Sequence, residues 1–208
     1  EQVSSNGTIT GNTITNTVGP GINAFINTPG TARHLNVNIV GNTILSASTT
    51  GIDANYLMGS LIADNFIRSS GTDCISRSST NLRVSVKGNH LHGCGTNGIK
   101  QADTTANTGN IEIAENTILD VNEGLTSGLG ILLSGGSRVW IRNNTIRDNT
   151  AHMGYGVQVA AAAGSVMIDE NLISGATVTD LNLLSATNTM TNRSAVVDHT
   201  TNILTVAD

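Results

Sequence analysis

The chain has 208 residues, a length that suits one domain or two small ones. Asn, Thr and Ser fill 71 positions and Gly another 23, and these residues all have low helix propensity. The net charge is −5 without any run of Lys or Arg, so duplex nucleic acid and anionic membranes are not expected partners. No apolar stretch approaches the roughly 18 residues of a spanning helix.

An Asn-x-aliphatic triplet recurs along the chain. It begins at Asn12, Asn42, Asn65, Asn89, Asn116, Asn144 and Asn171. An aliphatic residue, mostly led by Gly, follows each triplet: Ile22, Ile52, Ile75, Ile99, Ile131, Val157 and Leu181. An alternating aliphatic pair precedes most triplets, as in Val84-Ser85-Val86. Each unit of about 25 residues therefore predicts a pair strand, an Asn strand and a Gly-led strand.

These units are too short to enclose a core of their own, and no helix is predicted between them. Alternation with period two gives each strand one buried face. Stacking equivalent strands in parallel would align the aliphatic residues in columns and build an all-β solenoid. Seven coils at about 4.8 Å each predict a rod of about 34 Å.

The recurring Asn predicts a ladder at one corner of the solenoid. An Asn at a tight turn tolerates a left-handed φ and bonds its own backbone. When it is stacked on an equivalent Asn above and below, its amide would donate in one direction and accept in the other.

With this repeat, the chain resembles the superfamily of right-handed, single-stranded parallel β-helices. That superfamily includes pectate lyases, polygalacturonases, phage tailspike depolymerases and mannuronan epimerases. The resemblance covers residues 9 to about 184 of a single domain, with 185–208 as a cap or an oligomer contact. It implies a polysaccharide partner and a secreted or virion-surface location. By analogy with tailspikes it also implies a homotrimer.

Long connections predict where a glycan would bind. They span residues 24–34, 100–110, 119–128 and 147–154, and all four flank the Gly-led sheet. Loops on both sides of one face make a trough. The residues expected to point outward on that face are Asn23, Asp53, Ser76, Lys100, Leu132, Gln158 and Asn182. Tyr56, Phe25 and Tyr155 are candidate sugar platforms, and an ordinary solvated face is the alternative.

Asp53 and Asp73 are the predicted acid/base pair, with Asp103 in reserve. Glycoside hydrolysis needs two carboxyl groups, about 5 Å apart for retention and about 6.5–9.5 Å for inversion. Neighbouring coils can supply either spacing, and repulsion between like charges would raise the pKa of one group. The segment 71–76 is similar to the Asp-Asp-Cys stretch of polygalacturonases, but Thr72 replaces one aspartate there. Thr50 replaces another, so that activity is not predicted.

A lyase or epimerase is the competing enzyme class. It needs a base near the uronate α-carbon and a cation to neutralise the carboxylate. Lys100, Arg77 and His92 are the candidates for the base and for the cation, and they would also orient an anionic substrate. No cofactor is expected otherwise. For a lyase, Ca²⁺ would need oxygens from several of the aspartates named above.

Cys74 and Cys94 show no metal-ligand spacing, and we expect both to pack as small hydrophobes rather than to form a disulfide. The other four histidines are expected on surface loops.

A third hypothesis makes the chain a non-catalytic segment of a spike or fibre that binds saccharide or serves as a stiff rod. The missing polygalacturonase residues favour it. The apolar C-terminal segments at 194–197 and 202–206 would then cap the last coil or pair with a neighbouring chain.

Overall fold

The computed structural model describes residues 6–24, 34–78, 81–102, 109–121, 128–160 and 163–184, together with the strand Thr205–Val206. These residues form strands, bends and turns without any helix, so the described part of the chain has no helix that would cross a membrane. Low helix propensity and period-two alternation together account for this outcome.

Twenty-four short strands make up the described fold. In chain order they are β1 (Thr8–Thr10), β2 (Thr13–Thr15), β3 (Ile22–Ala24), β4 (His34–Leu35), β5 (Asn38–Val40), β6 (Thr43–Leu45), β7 (Ile52–Ala54), β8 (Leu57–Met58), β9 (Leu61–Ala63), β10 (Phe66–Ser70), β11 (Ile75–Ser78), β12 (Ser85–Lys87), β13 (His90–Cys94), β14 (Asn97–Ala102), β15 (Gly109–Ala114), β16 (Thr117–Leu119), β17 (Gly128–Leu133), β18 (Ser137–Arg142), β19 (Thr145–Arg147), β20 (Met153–Val159), β21 (Val166–Asp169), β22 (Leu172–Ser174), β23 (Thr179–Leu183) and β24 (Thr205–Val206).

Twenty-two of the strands stack into three parallel sheets, as predicted, and β4 and β8 pair in a separate two-stranded parallel sheet. The pair sheet has the order β1-β5-β9-β12-β15-β18-β21, and the Asn sheet has the order β2-β6-β10-β13-β16-β19-β22. The Gly-led sheet runs β3-β7-β11-β14-β17-β20-β23, and β24 adds to its last strand. From Asn12 to Asn171 the chain makes about six turns, slightly fewer than the seven coils predicted.

The core consists of aliphatic columns, one residue from each coil. In the Asn sheet the column is Ile14, Ile44, Ile67, Leu91, Ile118, Ile146 and Ile173, and each residue pairs in register with the next. The Gly-led sheet contributes the seven aliphatic residues that follow each triplet. From the second coil onward the residues of both columns are buried.

The Asn ladder is present, with one correction to its backbone. Each ladder Asn from Asn12 to Asn144 donates its amide to the next Oδ1 at 2.9–3.0 Å. The left-handed residue is the one before each ladder Asn, not the Asn itself as expected; these residues are Gly11, Gly41, Asp64, Gly88, Glu115, Asn143 and Glu170. The residue before each Asn therefore makes the turn. The backbone N–H of the Asn donates a hydrogen bond to Oδ1 of the next ladder Asn.

Close packing explains why glycine leads the third strand. A Cβ on Gly51 would lie 2.5 Å from Cγ2 of Ile67 and 2.6 Å from the carbonyl oxygen of Cys74. Gly98 meets Ile118 and Gly130 in the same way. Most coils therefore admit only glycine where the chain turns into the Gly-led sheet.

Candidate functional site

One column of the Gly-led sheet forms the expected outward face. Asn23, Asp53, Ser76, Lys100, Leu132, Gln158 and Asn182 pair in register from coil to coil. Asn23 is exposed and the other six are partly exposed. The structure thus brings Asp53, Ser76 and Lys100 together on three consecutive coils.

Asp53 lies in β7 and is partly shielded from water. Burial raises the pKa of its carboxyl above the ordinary aspartate value. A hydrogen bond from Asn55 Nδ2 to Oδ1 at 2.8 Å acts in the opposite direction, and the negative charge of Asp73 raises the pKa further.

Asp73 lies in the bend before β11 and is 6 % exposed. Its Oδ1 accepts a hydrogen bond of 2.6 Å from Asn97 Nδ2, and its Oδ2 is 3.8 Å from Lys100 Nζ. A buried carboxylate thus faces an amide donor and an ammonium group, both from the next coil. The sequence reasoning missed Asn97, although it precedes Ile99 by two residues as Asp73 precedes Ile75.

The two predicted catalytic carboxyls are not stacked directly over one another. In the sheet register Asp53 pairs with Ser76, three residues beyond Asp73. One coil is about 4.8 Å and each residue along a strand about 3.3 Å, so the two Cα atoms are on the order of 10 Å apart. The simple one-coil spacing assumed from the sequence does not apply to this pair.

Thr50 and Thr72 stand where the polygalacturonase pattern has aspartates. Their hydroxyl oxygens are 3.1 Å apart and hydrogen-bonded across neighbouring coils. Two hydroxyl groups bonded to each other supply no acid or base at neutral pH.

The expectation for the cysteines is wrong. Cys74 and Cys94 form a disulfide with an S–S distance of 2.05 Å, and Ser70 donates a hydrogen bond to Cys74 Sγ at 3.3 Å. The sequence separation of 20 residues is close to one coil, and it brings both side chains to the same corner.

The expectation for Arg77 is also wrong. Its side chain is fully buried inside the solenoid in β11, next in register to the buried Gln101. Period-two alternation places Arg77 inward, because Ile75 is inward and Ser76 outward. Arg77 therefore cannot contact a substrate on the outer face.

His92 lies in β13, on the Asn sheet and not on the Gly-led sheet. Its Nε2 is 3.3 Å from Asp120 Oδ2, at the corner that leads toward the Gly-led sheet. Asn149 donates to Asp120 Oδ1 through its backbone at 2.8 Å and its side chain at 3.0 Å. Of the other histidines, His90 lies in the same strand and stacks on Phe66, with ring centroids 5.3 Å apart.

The remaining predicted site residues lie along or beside the Gly-led face. Tyr56 is partly exposed in the bend after β7, and Tyr155 and Gln158 lie in β20. Asp103, Phe25 and most of the first three long connections fall outside the described residues. Within the described ranges, no three His, Cys, Asp or Glu side chains converge as metal ligands.

A surface cavity of about 430 Å³ lies at the far end of the Asn sheet, away from Asp53 and Asp73. Its lining includes Arg147, Asn149 and Asp148. The Asp148 carboxylate accepts hydrogen bonds from the backbone of Thr150, His152 and Met153. That carboxylate therefore organises its own turn.

The sequence matches the family described as a right-handed β-helix region over residues 2–195. The chain therefore belongs to the right-handed β-helix family. No curated protein matches it significantly in sequence.

Solved structures with the same fold come from two settings. A periplasmic alginate epimerase, AlgG, is 15 % identical with a TM-score of 0.58, over 80 % of this chain and 46 % of that one. The tailspike receptor-binding domain of siphovirus 9NA is 15 % identical with a TM-score of 0.58, over 94 % and 36 %. The enzymatically active domain of tailspike protein 2 from bacteriophage CBA120 is 12 % identical with a TM-score of 0.59, over 89 % and 31 %. The chain spans less than half the length of each.

Proposed function

We propose that this chain is a polysaccharide-degrading domain that hydrolyses an extended glycan lying along the Gly-led sheet. The observation that carries the proposal is the contrast between Asp53 and Asp73. Burial raises the pKa of Asp53, while Asp73 faces Asn97 and Lys100. Two carboxyl groups in different environments on neighbouring coils suit the acid and the base of glycoside hydrolysis.

Asp53 acts as the general acid and gives its proton to the glycosidic oxygen as the bond from that oxygen to the anomeric carbon breaks. A water molecule attacks the anomeric carbon, and Asp73 takes one of its protons. One water is consumed for each bond cleaved. Transfer of the proton from Asp73 back to Asp53 through solvent restores the starting state.

The offset between the two carboxyls supports inversion at the anomeric carbon. Asp53 and Asp73 differ by one coil and by three positions along the strand. A backbone separation on the order of 10 Å leaves room for a water molecule between the carboxyl groups. The anomeric form of the first product, followed by NMR, tests this step.

The face beyond the two carboxyls suits a chain of sugars. Asn23, Gln158 and Asn182 present amides along it, and six steps of about 4.8 Å give a surface about 29 Å long. Amides both donate and accept hydrogen bonds, which matches the hydroxyl groups of a glycan.

A lyase or epimerase reaction is the competing proposal, because alginate epimerase AlgG has a similar fold. It would use Lys100 as the base, with Ca²⁺ at the aspartates to neutralise a uronate carboxylate. Against this, Lys100 is already paired with Asp73. A lyase product absorbs near 235 nm and a hydrolase product does not, so one assay separates the two.

The experiment incubates the protein with a polysaccharide panel and measures new reducing ends and absorbance near 235 nm. We expect reducing ends without absorbance. Asp53→Asn and Asp73→Asn should each lose at least about a hundredfold in rate, because each removes a proton-transfer group. Asp64→Asn, at an exposed corner before the Asn sheet and away from the Gly-led face, serves as the matched control. Full activity in both aspartate variants would remove this assignment.

A non-catalytic spike segment that binds saccharide is the second candidate. The hydrogen-bonded Thr50 and Thr72, where the polygalacturonase pattern has aspartates, favour it. One structural neighbour is the receptor-binding domain of the siphovirus 9NA tailspike. Glycan binding without any product, by a chain that sediments as a trimer, would support the spike. For either candidate the disulfide suits a secreted or virion-surface location, where thiols are oxidised.

A further inference from the structure

The outer face of the Asn sheet carries basic side chains in one column. The residue after each buried aliphatic residue points outward, because side chains alternate along a strand. In order along the solenoid, and paired in register, these residues are Thr15, Leu45, Arg68, His92, Leu119, Arg147 and Ser174. Arg68 and Arg147 are exposed and stand three coils apart, which corresponds to about 14 Å.

These two arginines keep their charge available. Within the described ranges, no ion pair involves Arg68 or Arg147. On the pair sheet, by contrast, Arg142 binds the carboxylate of Glu112 through two of its nitrogens. The Asn sheet therefore presents two guanidinium groups to solvent.

The described carboxylates at the edges of the Asn sheet do not neutralise this column. At the edge toward the Gly-led sheet, Asp120 pairs with His92, and Asp148 accepts hydrogen bonds from its own turn. At the opposite edge, three exposed carboxylates occupy the corner four positions before the column, on the order of 10 Å away. They are Asp64, Glu115 and Glu170.

The cavity of about 430 Å³ opens on the same face, beside Arg147. Its volume lies within the range of small-molecule sites, roughly 300–1,000 Å³. Thr145 and Ser174 contribute hydroxyl groups to its lining, and Leu172 contributes an exposed apolar side chain. Hydroxyls, a guanidinium and an apolar surface match the hydroxyls, the carboxylate and the C–H groups of an acidic sugar.

An aromatic stack stands beside Arg68, at the other end of the column. The Phe66 ring lies nearly parallel to that of His90, with an interplanar angle of 8°, and Phe66 is 37 % exposed. Thr117 and Thr145 continue the same register from His90 to the cavity. Apolar, hydroxyl and basic groups thus follow one another along the solenoid, an arrangement that suits a long, linear partner.

We propose that the outer face of the Asn sheet, from Phe66 to Leu172, is a second polysaccharide-binding surface, and that it takes a polyuronate. Arg68 and Arg147 bind carboxylates of the chain, because a guanidinium group can hold a carboxylate through two parallel hydrogen bonds. Nucleic acid fits less well, since it places a phosphate on every nucleotide and the protein carries a net charge of −5. This surface lies on a different sheet from Asp53 and Asp73, and the proposal does not depend on hydrolysis there.

The test measures binding of polygalacturonate and of its methyl ester by calorimetry. It uses the Asp53→Asn background, so that cleavage at the Gly-led sheet does not interfere. We expect polygalacturonate to bind at least about tenfold more tightly than the ester at low salt, with the difference shrinking at high salt. Adding Arg68→Gln and Arg147→Gln should remove that difference, because the ester and the double variant each lack one partner of the charged contact.

A double variant on another face provides the matched control. Lys87→Gln with Arg138→Gln removes the same two charges from exposed outward positions of the pair sheet. It should leave the affinity for polygalacturonate within about twofold of its parent at moderate salt. Circular dichroism and thermal unfolding of both double variants confirm that the solenoid is intact.

Several results would overturn the proposal. They are equal affinity for polygalacturonate and its ester, equal losses in the two double variants, and arginine-dependent binding of single-stranded DNA as tight as that of polygalacturonate. An oligomer that sediments intact in wild type and dissociates in the Arg68→Gln/Arg147→Gln variant would assign the face to a second copy of the chain instead. Each of these results leaves the cleavage assay of Asp53 and Asp73 unaffected.

Discussion

Cys74 is bonded to Cys94 at the corner where Asp73 enters the Gly-led sheet, one residue after that carboxylate. The bond joins neighbouring coils and closes a segment with a sequence separation of 20 residues. It holds the bend that carries Asp73 against the coil that supplies Asn97 and Lys100. The disulfide thus helps to fix the position of Asp73 relative to Asn97 and Lys100.

Removing this disulfide should destabilise the fold. For a closed segment of this length the lost chain restriction corresponds to about 3 kcal/mol in the free energy of unfolding. The variant Cys74→Ala/Cys94→Ala keeps small apolar side chains at both positions. Denaturant titrations of wild type and variant, with and without a phosphine reductant, measure the effect. We expect the reductant to lower wild-type stability and to leave the variant unchanged, whereas an equal response would contradict the bond.

An interior rung of the Asn ladder should contribute more than a terminal one. Asn89 Oδ1 accepts from the backbone and the side chain of Asn65, and its amide donates to Ile62 and Asn116. Asn89→Ala leaves these buried groups without partners, which should cost about 2–4 kcal/mol. Asn12→Ala at the exposed end should cost about 1 kcal/mol or less. Comparable losses in thermal or chemical unfolding would argue against a cooperative ladder.

The raised pKa of Asp53 makes its ionisation unfavourable for folding. The folded-state pKa lies above the unfolded value of about 3.9. The penalty is therefore absent at lower pH, grows as pH rises through the folded pKa, and is complete above it. Asp53→Asn should be more stable than wild type at pH 7, and the gain should vanish near pH 3. A gain in stability that persists at pH 3 would show that ionisation of Asp53 is not its cause.

Asp148 provides the opposite case. Burial acts to raise its pKa, but hydrogen bonds from the Thr150 hydroxyl and from the backbone of Met153, Thr150 and His152 outweigh burial and lower it. Its contribution to stability is present above the unfolded value and is lost as pH falls through the folded pKa. Asp148→Asn should therefore destabilise the protein at pH 7 and have less effect at acid pH. The free energy of unfolding of Asp53→Asn and of Asp148→Asn, measured against pH, tests the direction of each pKa shift.

Substitution of Arg77 should change stability, whereas substitution of Lys100 should change activity. Arg77 is fully buried and takes part in an interaction, so Arg77→Met, which removes one partner of that interaction, should lower stability by about 2–4 kcal/mol. Lys100 is 38 % exposed in its side chain, and Lys100→Met should change stability by about 1 kcal/mol or less. On a glycan that the protein cleaves, Lys100→Met should reduce turnover because Lys100 lies beside Asp73. Arg77→Met should leave KM unchanged because Arg77 lies inside the solenoid. A change in KM without loss of stability in Arg77→Met would return that residue to the substrate face.

Local pattern was sufficient for much of the fold. The spacing of Asn65, Asn89 and Asn116 predicted the ladder, and alternation around Ile75 and Ile99 predicted their inward column and the outward Ser76 and Lys100. The same alternation places Arg77 inward, although charged side chains are usually exposed, so the substrate role predicted for Arg77 was wrong.

The site depended more on contacts between coils. Asn55 and Asn97 were not singled out, although they donate to Asp53 and Asp73. Ladder residues are separated by 23 to 30 positions, so the chain offers no constant offset from which such partners can be read. The disulfide was missed for the same reason, because it joins a strand end to a bend in the neighbouring coil.

Three short strands per repeat, the residues that point inward and the Asn ladder at one corner are all specified by the order of amino acids alone. The strands and their inward residues follow from a backbone period that is intrinsic to a strand, and the ladder follows from the recurrence of Asn in every unit. The side chains that meet across coils emerge only when the coils stack: Asp73 with Asn97 and Lys100, Cys74 with Cys94, and His92 with Asp120. Those contacts depend on how connections of unequal length bring successive corners into register, and no local period encodes that.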